Sequence, residues 1–157
     1  MIIDLHVRLE DVANIESLDR LDIIDWDEIH DAIQPHLDDL ASTLRKPGAS
    51  PVVSKSGRNR GGSWRLFSYR TFYPPQERHV DPVVAGITIE SGLDESFVVR
   101  GDICGEESGD MLFETASRKI IGKPALMEAC RDIARSLAAQ HKRVQDALSD
   151  PRRTVRN

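Results

Sequence analysis

Carboxylates are the commonest side chains of this sequence that could do chemistry, and they fall in two groups. Asp102, Glu106, Glu107, Asp110 and Glu114 lie close together in the last third of the chain, and Asp25, Asp27, Glu28, Asp31, Asp38 and Asp39 in the first. Gathered carboxylates can hold Ca²⁺ or Mg²⁺ through hard oxygen ligands. The D-x-[DN]-x-[DN]-G order of a calcium loop is absent, however, and no metal is expected. The other use of such groups is a surface that imitates phosphate and docks on a basic partner, where charge steers association. Asp102, Glu106, Glu107 and Asp110, together with Asp27, Glu28 and Asp31, are therefore the candidate partner-binding residues. Lys55, Arg58 and Arg60 are candidate anion-binding residues, since arginines beside aromatics such as Trp64, Phe67 and Tyr69 can hold phosphates and stack bases. Those aromatics sit in an alternating stretch that must also fill a core, and the acidic remainder of the chain argues against nucleic acid. Gly57, Gly61, Gly62 and Ser63 lack the lysine and the following helix of a phosphate loop.

Catalytic signatures are missing. The chain has no H-E-x-x-H, no G-x-S-x-G and no G-x-G-x-x-G after a strand. His30 and His36 are six residues apart on one helical pattern and point to different sides. Cys104 would become a nucleophile only if His79 or His141 approached it. Packing is the expected role of Cys104 and Cys130, and His141 is expected at the edge of the core. No cofactor is implied, and the balance leans away from an enzyme.

The elements that must carry these groups fit one domain of 157 residues. The two cysteines do not make a disulfide framework, the N-terminus shows no secretory pattern, and no stretch of about 20 apolar residues occurs. A cytoplasmic protein away from membranes is expected. The net charge of −5 conceals segregation. Residues 1–43 hold 12 acidic and 2 basic groups (−10), residues 44–80 hold 1 and 8 (+7), residues 81–121 hold 9 and 3 (−6), and residues 122–157 hold 4 and 8 (+4).

Alternation at Ile3, Leu5, Val7 and Leu9 predicts a first strand, and spacings of three over residues 11–22 a short helix. Ile29, Ile33, Leu37, Leu40 and Leu44 form the stripe of a longer helix, capped by Asp25 or Asp27, in which Pro35 predicts a kink or two abutting helices. Residues 47–63 read as a long loop with one short strand at 51–54. Trp64–Tyr73, Pro82–Glu90, Ser96–Cys104 and Asp110–Ala116 read as antiparallel strands of a meander, because their connections are too short for parallel crossovers. Leu126, Cys130, Ile133, Leu137, His141, Val144 and Leu148 then give one long C-terminal helix, opened by Pro124 and stopped by Pro151. The expected fold is α+β: an antiparallel sheet of four to five strands, an N-terminal helical segment and a long C-terminal helix packed on the sheet. Residues 1–150 form the domain and 151–157 a basic tail.

The stretch with Gly101-Asp102, Gly105-Glu106, Met111-Leu112-Phe113-Glu114, Lys119-Ile120-Ile121 and Lys123-Pro124-Ala125-Leu126-Met127-Glu128-Ala129 resembles bacterial immunity proteins of polymorphic toxin systems over about residues 80–140. It departs from them after the last helix, where Arg152-Arg153 stands in place of an Arg-Pro and a Trp. The resemblance implies a cytoplasmic inhibitor without chemistry of its own, whose partner is a cognate toxin. The element order also matches helix-grip proteins. These imply the alternative, a small-ligand binding protein or enzyme with a pocket between sheet and C-terminal helix, and order alone does not decide function.

Overall fold

The stripe of the first helix buries as its spacing requires. In the computed structural model, which describes residues 26–46, 49–58, 64–91 and 96–154, helix α1 spans Trp26–Ser42 with Ile29, Ile33, Leu37 and Leu40 buried and Leu44 buried just beyond it. Pro35 does not divide the helix in two: it lies on the exposed side, where water can meet the carbonyl that its missing N–H leaves unpaired. Two tyrosines of the sheet fix the buried side. Tyr73 donates its hydroxyl hydrogen bond to the Leu37 carbonyl (2.9 Å), and Tyr69 donates to Gln34 Oε1 (2.6 Å). Burial, with Asp38 nearby, pushes the Tyr69 phenol up to about 12, so it stays a donor at neutral pH. The first strand and short helix expected over residues 3–22 lie outside the described residues.

Strands β1 (Ser50–Arg58), β2 (Trp64–Tyr73), β3 (Val83–Ser91), β4 (Ser96–Gly105) and β5 (Met111–Glu114) form an antiparallel meander in chain order. A sixth strand, β6 (Arg118–Ile121), pairs with the first half of β4, and β5 with its second half. The fold is α+β as expected: among the described residues five strands run in chain order, and the four-residue β6 is added on the free half of β4. The loop expected over 47–63 is shorter than its composition suggests, because the short strand expected at 51–54 extends to nine residues, Ser50–Arg58, by pairing along nearly all of β2.

One face of the sheet carries Phe67, Tyr69, Tyr73, Val83, Ala85, Ile87, Ile89, Val99 and Ile103, and this face buries against the helices. The expected single C-terminal helix is two, α2 (Lys123–Ala138) and α3 (His141–Leu148). Gln140 N–H reaches back only to the Leu137 carbonyl (3.0 Å), and this tighter turn interrupts the helix. Leu126, Cys130, Ile133, Leu137, Val144 and Leu148 all remain buried, whereas His141 is exposed and not at the core edge. Helix α2 crosses β4 at Gly101, where a Cβ would overlap Ile133 Cγ2 and come within 3.3 Å of Leu137 Cδ2. The contact depends on that missing methyl.

Candidate functional site

The turn after β4 is where acidic groups and a built scaffold coincide. Gly105 N–H donates to the Asp110 carbonyl and Gly109 N–H to the Gly105 carbonyl, both at 3.0 Å. Gly109 has φ +72°, in the left-handed region that glycine enters without a steric penalty. Beneath this turn lies Asp81, only 2% exposed, at the entry to β3. Its Oδ1 accepts from Glu107 N–H (2.8 Å), and its Oδ2 accepts from Ser108 N–H (3.1 Å) and Ser108 Oγ (2.7 Å). Glu106 N–H donates to the Pro82 carbonyl (2.9 Å). A buried carboxylate needs such donors to offset its lost hydration.

Arg153 completes the scaffold. Its side chain is 12% exposed and its guanidinium reaches Asp81 Oδ2 at 3.4 Å. It also donates to the carbonyls of Asp81 (3.1 Å) and Ala147 (2.8 Å). Nε lies 3.5 Å from Asp110 Oδ2, an ion pair without hydrogen-bond geometry. Asp81 N–H donates to the Arg153 carbonyl (2.7 Å), and Val80 and Thr154 form a bridge. Arg153 and Thr154, placed in the expected basic tail, are thus paired to the segment that leads into β3. Hydrogen bonding from the Ser108 hydroxyl, then the guanidinium of Arg153, holds the Asp110 carboxyl below the usual range.

A cleft of about 520 Å³ lies between the turn, with Asp81, Glu107, Ser108 and Asp110, and the segment Arg152–Thr154. The carboxylates of Asp81, Glu106 and Glu107 lie within 4.8 Å of one another, close enough for a hard cation. Both oxygens of Asp81 are already taken by N–H, O–H and guanidinium donors, so this carboxylate is committed to the turn.

The remaining candidate residues are dispersed. Glu106, Glu107 and Asp110 are exposed on the turn, whereas Asp102 stands half-buried within β4, on the sheet face turned away from the helices. Asp27, Glu28 and Asp31 are exposed on α1, and Glu28 is paired to Lys123 (3.3 Å), which follows β6. Strand β6 pairs with the first residues of β4 and the acidic turn follows its last. At about 3.3 Å per residue, the two acidic groups are separated by a strand length of roughly 30 Å. They form two surfaces, not one. Lys55 pairs in register with Phe67 and Arg58 with Trp64, positions of opposite parity on β1, and Arg60 lies outside the described residues.

Cys104 stands half-buried near the end of β4. Burial first, then the neighbouring Asp102, pushes its thiol up, with Arg70 opposing. Neither His79 nor His141 is among the groups that act on it. The pocket implied by a helix-grip fold is also not where α2 meets β4, because Ile133 and Leu137 lie against Gly101 there. Asp81, Ser108 and Arg153 carry the site without having been singled out in the sequence. Asp81 and Arg153 are 72 residues apart, beyond the reach of any spacing rule. No family model, no curated protein and no solved structure matches the chain.

Proposed function

We propose that this chain is a non-enzymatic cytoplasmic binding protein of the immunity type, which presents its acidic turn to a basic protein partner, a cognate toxin. The observation that carries this is Asp81. A buried carboxylate spends both oxygens on holding the backbone and hydroxyl of the turn, so that Glu106 and Glu107 project from a fixed frame. Rigid presentation reduces the ordering cost of binding, and exposed charge raises the association rate. The resemblance of residues 80–140 to immunity proteins supplies the class of partner. Burial pushes the Cys104 thiol up, which suits a packing role for it. Among the described residues, no helix is long and apolar enough to cross a membrane.

Affinity capture from the native cells, eluted with rising salt, tests the proposal. The wild-type chain should retain a basic protein that is released as screening shortens from about 10 Å at 0.1 M to about 3 Å at 1 M salt. The variant carrying Glu106→Lys and Glu107→Lys should bind it at least about tenfold more slowly. Capture of only acidic or neutral proteins, or equal capture by the variant, would overturn it.

A further inference from the structure

A second cleft, of about 220 Å³, opens on the seam where the end of α1, the link from β2 to β3 and the end of α3 meet. Two hydrogen bonds hold the seam: Gln76 N–H donates to the Leu148 carbonyl (3.1 Å), and Arg45 N–H to Gln145 Oε1 (2.8 Å). The second fixes the Gln145 amide, whose Nε2 then donates to Ser149 Oγ (2.6 Å). Ser149 is thereby an acceptor, and its hydroxyl hydrogen has no acceptor among the described residues. The Gln76 side chain lines the same cleft, and its Nε2 is buried without a hydrogen-bond partner. Folded proteins rarely leave a buried amide donor so without a use for it. Arg45, exposed at the rim, has no ion pair among the described residues. Of the described residues that line the cleft, Glu77 is the one carboxylate, and it faces His79 Nδ1 at 3.6 Å.

We propose that this cleft binds a small monocarboxylate, whose oxygens accept from the Gln76 amide, the Ser149 hydroxyl and the Arg45 guanidinium. Three donors without acceptors call for an acceptor-rich group, and a carboxylate is acceptor-only, with about four lone-pair sites on two oxygens. Hydrogen bonds to such a charged group are stronger than neutral ones. The Gln76 NH₂ comes to the ligand by turning about its last side-chain bond, a soft torsion in an amide. One guanidinium with Glu77 close by suits a single negative charge, whereas a phosphate dianion would set a second charge against that carboxylate. Val80 and Pro151 give the wall its apolar part, which suits a hydrocarbon stem. At roughly 30 Å³ per water the cleft holds the volume of about seven waters, so the ligand has about seven non-hydrogen atoms or fewer. A ligand of that size binds with a dissociation constant on the order of 1 mM. The site is separate from the acidic turn: Val80 lines it, whereas the next residue, Asp81, lines the other cleft.

An NMR titration of the isotope-labelled chain with sodium butyrate, against sodium chloride and sodium phosphate at equal ionic strength, tests this. Butyrate should shift the Gln76 side-chain NH₂ and the Ser149 and Val80 amides saturably, with a dissociation constant on the order of 1 mM. Arg45→Met and Gln76→Met should each weaken it at least about tenfold. Gln76→Met also removes a buried donor that has no partner, so its Tm without butyrate should be no lower than that of the wild type. No saturable shift up to about 50 mM butyrate, chloride or phosphate bound as tightly as butyrate, or binding that survives both substitutions overturns the proposal. So does a Gln76→Met variant that melts earlier than the wild type, because the amide would then have a partner within the fold.

Discussion

Asp81→Asn should cost this fold far more than its near-identical shape suggests. Three donors from the turn converge on the two oxygens of Asp81: Glu107 N–H on one, Ser108 N–H and Oγ on the other. An amide has one oxygen, so in either orientation its NH₂ faces a donor. The same change leaves Arg153, 12% exposed, without the carboxylate at 3.4 Å. Removing one partner of a buried ion pair costs about 3–5 kcal/mol. Arg153 keeps its bonds to the Asp81 and Ala147 carbonyls, which places the loss near 3 kcal/mol, at the lower end. For a domain of this length that is a Tm lower by about 6–12 °C. Urea unfolding measures the loss, and hydrogen exchange locates it: the Glu107 and Ser108 amides should exchange rapidly in the variant and slowly in the wild type. In a cycle with Arg153→Ala, the coupling should be about 0.5–3 kcal/mol. A loss below about 1 kcal/mol for Asp81→Asn, with additive behaviour in the cycle, would show that Asp81 does not hold the turn and would remove the physical basis for a rigid acidic surface.

Two further outcomes follow from contacts elsewhere in the fold. Gly101→Ala should lower stability by about 1–3 kcal/mol through overpacking against Ile133, and the double variant Gly101→Ala/Ile133→Ala should be no less stable than Ile133→Ala alone, as read by denaturant melts. Asp102→Asn should raise the Tm at neutral pH in dilute solution, because burial pushes the Asp102 carboxyl up and the folded state therefore opposes its charge. That penalty is full above the raised value in the fold and disappears as pH falls from there to the ordinary carboxylate pKa, so the Tm gap should close between about pH 7 and about pH 4. A variant less stable than wild type at pH 7 would contradict this.

Local periodicity made the main elements legible. Strand β2 runs over the residues that alternation marks, Trp64–Tyr73, and the α1 stripe buries every position from Ile29 to Leu44. Of strand β1 only 51–54 was legible, because Ser-Pro-Val-Val-Ser-Lys-Ser-Gly-Arg has largely the composition of a loop; pairing along β2 overrides that preference. Strand β6 is four residues, too short for a period to show, and the break between α2 and α3 contains neither glycine nor proline. The sign of each charged segment could be counted, but its place could not. Glu28 and Glu106 belong to different ends of β4 only because β6 leads into Lys123 at one end and the turn leaves from the other.

The outer edge of the sheet is made of two pieces. Strands β5 and β6 leave β4 unmatched at Arg100 and Gly101, and there the Thr115 hydroxyl accepts from Gly101 N–H (2.9 Å) while Thr115 N–H donates to the Gly101 carbonyl (2.9 Å). One residue outside any strand thus closes the gap with a side chain on one of the two bonds. An incoming chain that tried to extend the sheet would find two four-residue segments with a break between them, the second opening with Arg118 and Lys119. Long, flat, uncharged edges template fibrillar growth. This edge is interrupted, short and cationic, so the sheet carries at its rim a barrier to open-ended polymerisation.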